Sequence, residues 1–429
     1  MSWPTTRLRY VADLNPLMRS DLVDAQDTEV SFLPMEAIGE TGSLDLERVR
    51  AVAEVRNGYS YFENGDVAFA KVTPCFENGK GALMRDLQFG AGFGTSELTV
   101  LRPKGDTNAR FLNYVVQSAQ FRKNGAGAMT GAGGLKRVPD DFTRDFKTPW
   151  PTPGEQERIA NFLDEQTARI DALIAEKEAL LLKLAENQYS HASKLMTHGL
   201  TVTQGVTATS FPELGAIPLH WTVKRLKFLG EVRSGIAKGK DHGEKDTVTL
   251  PYLRVANVQD GYVDLTEVLE IEVGAHEVER FLLKKGDVLM NEGGDNDKLG
   301  RGTVWEGQID PCVHQNHVFA VRMFDTALAE WVARFTSTDA ARTYFFLRSK
   351  QSTNLASINQ TNVRELPVPM PPEDERNAIL AEIRRSATAT SELVKHVKEH
   401  IDRLKEYRAS LISHAVTGQL DIESLKEAA

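Results

Sequence analysis

Pro151-Thr-Pro-Gly-Glu-Gln-Glu-Arg158-Ile-Ala160 decides the fold, because its pattern returns 218 residues later as Pro369-Met-Pro-Pro-Glu-Asp-Glu-Arg376-Asn-Ala378. In both copies two prolines end any preceding element, and an acidic first turn suits the positive end of a helix dipole. Each copy therefore predicts the start of a helix. The ends of the two helices also repeat, about 220 residues apart, and we interpret the small change of offset as a slip within the helix.

Apolar residues follow each start at alternating steps of four and three, the spacing of a coiled-coil seam. The seam positions that carry this prediction are Ile170, Ile174, Leu181, Leu184, Val394, Val397, Ile401 and Leu404. Polar residues at further seam positions, including His191 and Arg408, weaken the pairing but could fix its register. An ordinary amphipathic helix packed on its own domain is the alternative. About 40 residues at 1.5 Å each make a rod of roughly 60 Å, longer than such a domain needs.

The segments before the two helices repeat as well. Trp221 and Arg225-Leu-Lys-Phe228 lie 218 residues after Trp3 and Arg7-Leu-Arg-Tyr10, and further short matches keep the same order. Collinear matches at a nearly constant offset indicate a tandem duplication. Short β-type runs separated by Gly and Asn turns predict a mixed domain in each half.

The predicted fold class is α+β: a mixed α/β domain and a long helix, duplicated in tandem, with the two helices forming an antiparallel coiled coil. Antiparallel pairing is expected because a duplicated chain that closes on itself places its copies about a pseudo-twofold axis. The predicted boundaries are a first domain at 1–150, a first helix at 151–200, a linker at 201–217, a second domain at 218–368, a second helix at 369–417 and a frayed tail at 418–429.

Composition narrows the functional class. The chain has 429 residues, 41% of them hydrophobic, which is enough for more than one core. Its longest apolar runs fall well short of the roughly 20 residues that span a bilayer, and we expect a cytoplasmic protein. The net charge of -9 argues against a protein that coats nucleic acid without specificity, so any contact with nucleic acid must come from local basic patches.

Motifs of catalytic and metal-binding sites are weak in this sequence. Gly235-Ile-Ala-Lys-Gly239-Lys240-Asp241 is one residue short of a phosphate loop and lacks its hydroxyl. The glycines between Gly125 and Gly134 favour a mobile loop over a dinucleotide site. Cys312 with His314 and His317 could bind zinc, but a fourth ligand is not evident, and a structural strand is favoured. We predict no catalytic site and no metal site.

Two sets of polar and basic loop residues remain as candidates for reading DNA. Arg, Lys, Asn and Gln read base edges through paired hydrogen bonds, and Asp can accept from cytosine. A solvated loop is the alternative for each residue taken singly. The candidates are Lys71, Asn78, Lys80, Lys136 and Arg137 in the first domain, and Asn291, Asp295, Lys298, Arg301, Asn359 and Gln360 in the second.

With these features the sequence resembles the specificity subunits of type I restriction-modification systems. The resemblance rests on the duplicated layout and on the starts and ends of the long helices, above all Pro151 to Ala160 and Tyr407-Arg-Ala-Ser-Leu-Ile-Ser-His-Ala-Val-Thr-Gly-Gln-Leu420. It also includes Ile217-Pro-Leu-His-Trp221 and the loop from Lys71 to Lys80. It covers nearly the whole chain and is looser inside the two domains.

The resemblance implies a DNA-recognition subunit without activity of its own. Two target-recognition domains would each read one half of a split, asymmetric site in double-stranded DNA, with the helices as a ruler between them. Two methylation subunits would supply S-adenosylmethionine chemistry. Restriction subunits would supply ATP-driven translocation and Mg-dependent cleavage, and this chain would bind no cofactor itself. The alternative function is a coiled-coil scaffold that joins two protein-binding modules.

Overall fold

The computed structural model describes residues 3–132, 134–201, 205–237, 246–294, 299–351 and 356–422. The chain divides into two compact units. The first unit comprises Met1–Ala179 and Val397–Ala429, and the second comprises Leu180–His396. Each unit therefore contains one mixed domain together with a part of each long helix.

The domain of the first unit is built from short strands and helices that lead into the first long helix. Its elements are β1 Thr5–Arg7, α1 Leu8–Val11, β2 Ala12–Leu14, α2 Ser20–Asp24, β3 Glu29–Leu33, β4 Val49–Ala51, α3 Val52–Val55, β5 Ser60–Glu63, β6 Val67–Ala70, β7 Gly81–Leu83, β8 Ala91–Gly94, β9 Leu98–Pro103, α4 Ala109–Gln117, α5 Ala119–Ala128, β10 Thr130–Ala132, β11 Leu135–Arg137, α6 Asp140–Asp145, β12 Lys147–Pro149 and α7 Pro153–His198.

The second unit continues from the last part of α7 and ends in the second long helix. Its elements are β13 Val206–Ala208, β14 Ala216–Pro218, β15 Thr222–Arg225, β16 Gly230–Ser234, β17 Thr247–Leu253, β18 Leu269–Gly274, α8 Val278–Phe281, β19 Val288–Asn291, β20 Gly293–Gly294, β21 Gly302–Val304, β22 Val313–His314, β23 Val318–Met323, α9 Ala329–Phe335, α10 Asp339–Arg348, β24 Lys350–Gln351, β25 Ala356–Ser357, α11 Gln360–Arg364, β26 Pro367–Met370 and α12 Glu373–Val416.

Both domains use the same small sheets. In the first, the strand orders are β2-β9-β6-β7 and β4-β3-β8-β5, with β1 paired to β12. In the second, the corresponding sheets are β16-β23-β19-β21 and β18-β17-β22, with β15 paired to β26. The central strands β6 and β19 are buried along their whole length, and their residues are apolar except Asn291 at the end of β19. The mixed α+β class with a duplicated domain and helix is confirmed.

A buried ion pair marks the same place in both domains. In the first unit the Arg102 guanidinium donates to both carboxylate oxygens of Asp66 at 2.8 and 2.7 Å. In the second unit Arg322 makes the same fork to Asp287 at 2.9 and 2.7 Å. Both aspartates also accept a backbone N–H three residues earlier in the chain, at Glu63 and Lys284. The duplication therefore extends to individual buried contacts.

The offset between the two copies does not change within the long helices, contrary to the slip that the sequence suggested. The carboxylate that accepts the indole N–H of Trp3 belongs to Glu155, and the one that accepts from Trp221 belongs to Glu375. The pattern of buried residues at 151–160 is identical to that at 371–380, an offset of 220 from the first turn onward. The match of Pro151 with Pro369 was therefore wrong, because it aligned similar letters two residues out of structural register.

Within each unit α7 and α12 contact each other in antiparallel directions. In the first unit Asp171 of α7 pairs with Arg408, near the end of α12, at 2.9 Å. In the second unit His191, near the end of α7, lies 4.0 Å from Glu382, near the start of α12. The predicted antiparallel pairing is confirmed. His191 itself is exposed, and its neighbour Ala192 packs against the core instead.

The eight residues named for the seam all lie at buried or partly buried positions. Ile170, Ile174, Val397 and Ile401 are buried, whereas the remaining four are partly buried. Leu182, between two seam positions, is 75% exposed. The burial thus follows the predicted spacing along both helices.

Two predicted boundaries differ from the structure. The segment predicted as a linker at 201–217 contains the antiparallel hairpin β13–β14, whose turn includes Gly215 with a positive φ. The predicted tail begins at Gly418, where an added Cβ would lie 3.0 Å from the Trp3 ring. The tail is therefore packed at its start, and its residues 423–429 lie outside the described part of the chain. Among helices in the described ranges, none combines the length and apolarity of a membrane span.

Candidate nucleic-acid interface

In the first unit the loop between β6 and β7 meets the hairpin β10–β11. Val72 of the loop forms an isolated β-bridge with Arg137 of the hairpin. The backbone N–H of Val138 donates to the carbonyl of Lys71 at 2.8 Å, and that of Thr73 donates to the carbonyl of Lys136 at 3.0 Å. The structure therefore brings together two segments that are about 60 residues apart in the chain.

The hairpin is a protrusion rather than the mobile glycine-rich loop that the sequence suggested. Its six strand residues are all exposed, and Thr130 pairs with Arg137 in an antiparallel register. Gly131 has a φ of 142°, and an added Cβ there would lie 2.3 Å from the carbonyl oxygen of Leu135. The glycine is thus required by the close approach of the two strands. This was the signal in the sequence that could have predicted the hairpin.

The five candidates of the first domain differ in how free their side chains are. Asn78 and Lys136 are exposed, and within the described ranges neither the Asn78 amide nor the Lys136 ammonium has a protein partner. Lys80 is partly buried and donates its ammonium to the carbonyl of Met35 at 2.9 Å. Lys71 lies partly buried beside Glu97. Asn78 and Lys136 are therefore the two side chains best placed to meet a ligand.

Arg137 is held by an acid and does not present a free guanidinium. Its Nε and Nη2 donate to the two oxygens of Glu97 at 2.8 and 2.6 Å. This fork, and secondarily the charge of Lys71, lowers the pKa of Glu97. The pair fastens the end of the hairpin to the turn before β9. Arg137 therefore has a positioning role in the free protein.

Arg122, which was not among the residues predicted from the sequence, binds backbone carbonyls of the loop between β6 and β7. Its guanidinium donates to the carbonyls of Phe76 at 3.0 Å and Gly79 at 3.2 Å, and lies 4.9 Å from the centre of the Phe76 ring. Burial lowers the pKa of this arginine to about 10, so it stays charged at neutral pH. A positive charge is thereby fixed under the segment that carries Asn78. In the sequence Arg122 stands beside Lys123 with no feature that marks this role.

The second unit has the same arrangement of loop and hairpin. The loop after β19 contributes β20, which pairs with β25 of the hairpin β24–β25 at Gly293↔Ser357 and Gly294↔Ala356. Ile358, just after the hairpin, donates its N–H to the carbonyl of Glu292 at 2.8 Å. Two candidates on this loop, Asp295 and Lys298, lie outside the described residues.

The remaining candidates of the second domain are engaged with the protein. Asn291 is 1% exposed and its amide donates to the carbonyl of Val258 at 3.0 Å, so it is a structural residue rather than a base reader. Arg301 is partly buried and donates to the side chain of Gln259 at 2.9 Å.

Asn359 and Gln360 begin a helix instead of a free loop. The Asn359 side chain caps α11 by accepting the N–H of Asn362 at 2.8 Å. The Gln360 amide donates to the carbonyl of Val232 at 2.6 Å. The role of Asn359 follows an ordinary rule, since Asn is a preferred N-cap residue. The buried position of Asn291 does not agree with the prediction that it reads bases. For the exposed Asn359 and the partly buried Gln360, reading of bases stays a prediction.

Two of the three possible zinc ligands of the second domain, Cys312 and His314, lie inside its core, whereas His317 is exposed. The Cys312 thiol donates to the carbonyl of Val313, and His314 Nδ1 lies 2.6 Å from the carbonyl oxygen of Val318. Both side chains are buried. Burial lowers the pKa of His314 to about 4 and raises that of Cys312 to about 12. These two groups are thus neutral core residues at pH 7, as the strand interpretation predicted.

Comparisons with known proteins agree with the duplicated domains and long helices. No protein-family model matches the chain. The specificity subunit of the type I restriction enzyme EcoAI from Escherichia coli is 34% identical over 244 residues, which are 54% of this chain and 40% of that protein. The EcoEI specificity subunit of Escherichia coli is 32% identical over 246 residues, with the same coverage. The chain thus spans about two fifths of the length of these two relatives.

Matches at lower identity extend further. The EcoKI specificity subunit of Escherichia coli strain K12 is 25% identical over 341 residues, which are 78% of this chain and 69% of that protein. Among solved structures, a chain from a study of complex assembly and conformational transition in a type I R-M system has a TM-score of 0.70 at 16% identity, with 98% of both chains covered. The HsdS subunit of Thermoanaerobacter tengcongensis has a TM-score of 0.51 at 17% identity, with 98% of this chain and 97% of that one covered.

The two structural matches show the fold, and the curated relatives show which proteins share the sequence. Both agree with the duplicated layout and the helix motifs. The resemblance is thereby confirmed: this chain is similar in sequence to the specificity subunits of type I restriction enzymes, and in fold to a solved subunit of that kind.

Proposed function

We propose that this chain is the DNA-reading specificity subunit of a type I restriction-modification complex. Each unit would read one half of a bipartite, asymmetric site in double-stranded DNA. The observation that carries this proposal is the repeated pairing of one loop with one hairpin on the same duplicated frame. The frame is shared down to the ion pairs Asp66–Arg102 and Asp287–Arg322, whereas the exposed side chains differ.

Differences at equivalent positions support two unlike half-sites. Lys71 and Glu97 of the first unit correspond in the aligned strands to Glu292 and His317 of the second. The side chains of Glu292 and His317 lie 2.7 Å apart. A surface that reads bases changes its side chains when it reads a different sequence, because each base pair has its own pattern of donors and acceptors. The supporting frame can stay the same.

The proposal assigns the chemistry to partner subunits. We infer that the chain itself neither methylates nor cuts DNA and binds no cofactor. Two methylation subunits would bring S-adenosylmethionine, and restriction subunits would bring ATP and Mg, all in the cytoplasm. The overall charge of -9 fits surfaces that face other proteins, with positive charge needed only locally near the DNA.

Selection from a pool of random duplexes tests the proposal. The full chain, co-purified with the methylation subunits of the proposed complex, is expected to enrich one split sequence with two unlike halves. Labelled methyl groups should then enter DNA only when those subunits are present. Enrichment of a continuous site, or of no sequence, would count against DNA reading by two units. Methyl transfer by the chain alone would contradict the assignment of chemistry to its partners.

A further inference from the structure

The hydroxyl of Thr73 makes two hydrogen bonds to the backbone of the hairpin in the first unit. Its Oγ1 donates to the carbonyl of Gly134 at 2.9 Å and accepts the backbone N–H of Lys136 at 3.0 Å. The backbone N–H of Thr73 donates to the carbonyl of Lys136 at 3.0 Å. One loop residue thus binds the two backbone groups that flank Leu135 and a third at Lys136.

The hairpin has little else to fix it near Lys136. Its strand residues are all exposed, so apolar packing contributes little to its position. The Arg137–Glu97 fork, the β-bridge from Val72 to Arg137 and the bond from Val138 to Lys71 hold only its last residues. Two side-chain hydrogen bonds at about 1 kcal/mol each are a large share of what can order such a segment.

In the described part of the second unit, the loop residues that pair with the hairpin are glycines, which have no side chain to bond to it. Its hairpin is held by ladder pairing, with Gly293 opposite Ser357 and Gly294 opposite Ala356. Backbone pairing of this kind does not depend on the residue type in the loop. The hydroxyl brace is therefore particular to the first unit.

We propose that Thr73 is a positioning residue for the first recognition surface. Its hydroxyl holds the hairpin so that Lys136, exposed and without a protein partner in the described chain, reaches the DNA in one fixed orientation. Thr73 contributes to the choice of sequence without touching a base. This inference rests on the proposed DNA reading by the first unit.

Three full-length variants test it in complex with the methylation subunits. Thr73→Val keeps the shape and removes the hydroxyl, Thr73→Ser keeps the hydroxyl, and Thr5→Val is the control. Thr5 is an exposed threonine of β1 in the same domain, and no side-chain bond of its hydroxyl is present in the described structure. Binding is measured on the selected site and on its single base-pair substitutions in both halves.

Thr73→Val is expected to reduce discrimination at the half read by the first unit by roughly three- to thirtyfold, the factor that corresponds to the loss of one or both hydrogen bonds of the hydroxyl. The other half should keep its preference, and Thr73→Ser and Thr5→Val should behave as the unchanged protein. Unaltered discrimination in Thr73→Val, or an equal loss in both halves, would overturn the positioning role.

Hydrogen exchange separates this inference from the proposed function. The amide of Lys136 should exchange faster in Thr73→Val than in Thr73→Ser, because its acceptor is gone. If the unchanged complex selects no DNA sequence, the proposed function fails while the exchange experiment still tests the brace. If exchange at Lys136 is the same in both variants, the brace is absent even where DNA is read.

Discussion

At the scale of single residues, the two forked ion pairs are the most informative repeat. Asp66 and Asp287 are both 2% exposed, so each needs its arginine to offset the cost of burying a charge. Arg102 has a second acid, Glu63, at 2.8 Å. Among the described residues, the Arg322 side chain makes hydrogen bonds to Asp287 and to the carbonyl of Leu282. The two pairs are therefore alike in geometry but not in their surroundings.

We predict that Asp287→Asn costs more stability than Asp66→Asn. Removing the charge of Asp287 leaves Arg322 without a carboxylate partner at hydrogen-bond distance, which should cost about 3 kcal/mol, whereas Glu63 should limit the loss at Asp66 to about 2 kcal/mol. Urea unfolding measures both. Glu165→Gln, which removes an exposed pair with Arg169 on α7, should change stability by less than about 1 kcal/mol. Equal losses in all three variants would contradict this account.

The buried His314 makes stability depend on pH. Its folded pKa of about 4 lies below the ordinary value of 6.5, so the unfolded chain binds the proton more readily. The resulting loss of folding stability is absent above pH 6.5 and grows as the pH falls. It is complete below pH 4, where it reaches at most about 3 kcal/mol. His314→Gln should flatten the fall in unfolding free energy between pH 6.5 and 4. An unchanged pH profile in that variant would exclude His314 as its source.

At the scale of elements, the spacing of apolar residues predicted the long helices and their pairing because burial on a helix follows a 3.6-residue period that the sequence displays directly. The hairpin β10–β11 was not predictable in this way. All six of its strand residues are exposed, so it has no apolar period, and only Gly131 and Gly134 indicate it. The burial of Asn291 was also not predictable, because the sequence does not distinguish a buried asparagine at the end of a strand from an exposed asparagine in a loop.

We predict that Ile174→Ala and Leu182→Ala differ strongly in effect although they lie on the same helix. Ile174 is buried where α7 belongs to the first unit, and truncating a buried isoleucine costs about 2–5 kcal/mol. Leu182 is mostly exposed and should cost less than about 1 kcal/mol. Chemical unfolding followed by the helical circular dichroism signal would measure both. Similar losses would mean that the apolar spacing does not define the buried side of α7.

At the scale of the whole molecule, the duplication places the same frame of strands in both units, as the proposed reading of two unlike half-sites requires. Each unit carries its own loop and hairpin, and the exposed side chains on them are not shared. Lys136 on the first hairpin and Lys350 on the second are both exposed, and within the described ranges neither ammonium has a protein partner. The sequence predicted Lys136 but not Lys350, because a lysine between Ser349 and Gln351 has no feature that separates it from any other surface lysine.

We predict that Lys136→Ala and Lys350→Ala act on different half-sites. If either lysine reads a base, its loss should cost about 1–3 kcal/mol and relax specificity at one position of one half. If it contacts a phosphate instead, binding should weaken for all sequences, and the dependence of log K on log salt should fall by about one unit. Measuring affinity at several salt concentrations, on site variants in each half, distinguishes the two roles. Since the two lysines lie in separate units, the double variant should show the sum of the single effects. A shared effect of either single variant on both halves would contradict independent reading by the two units.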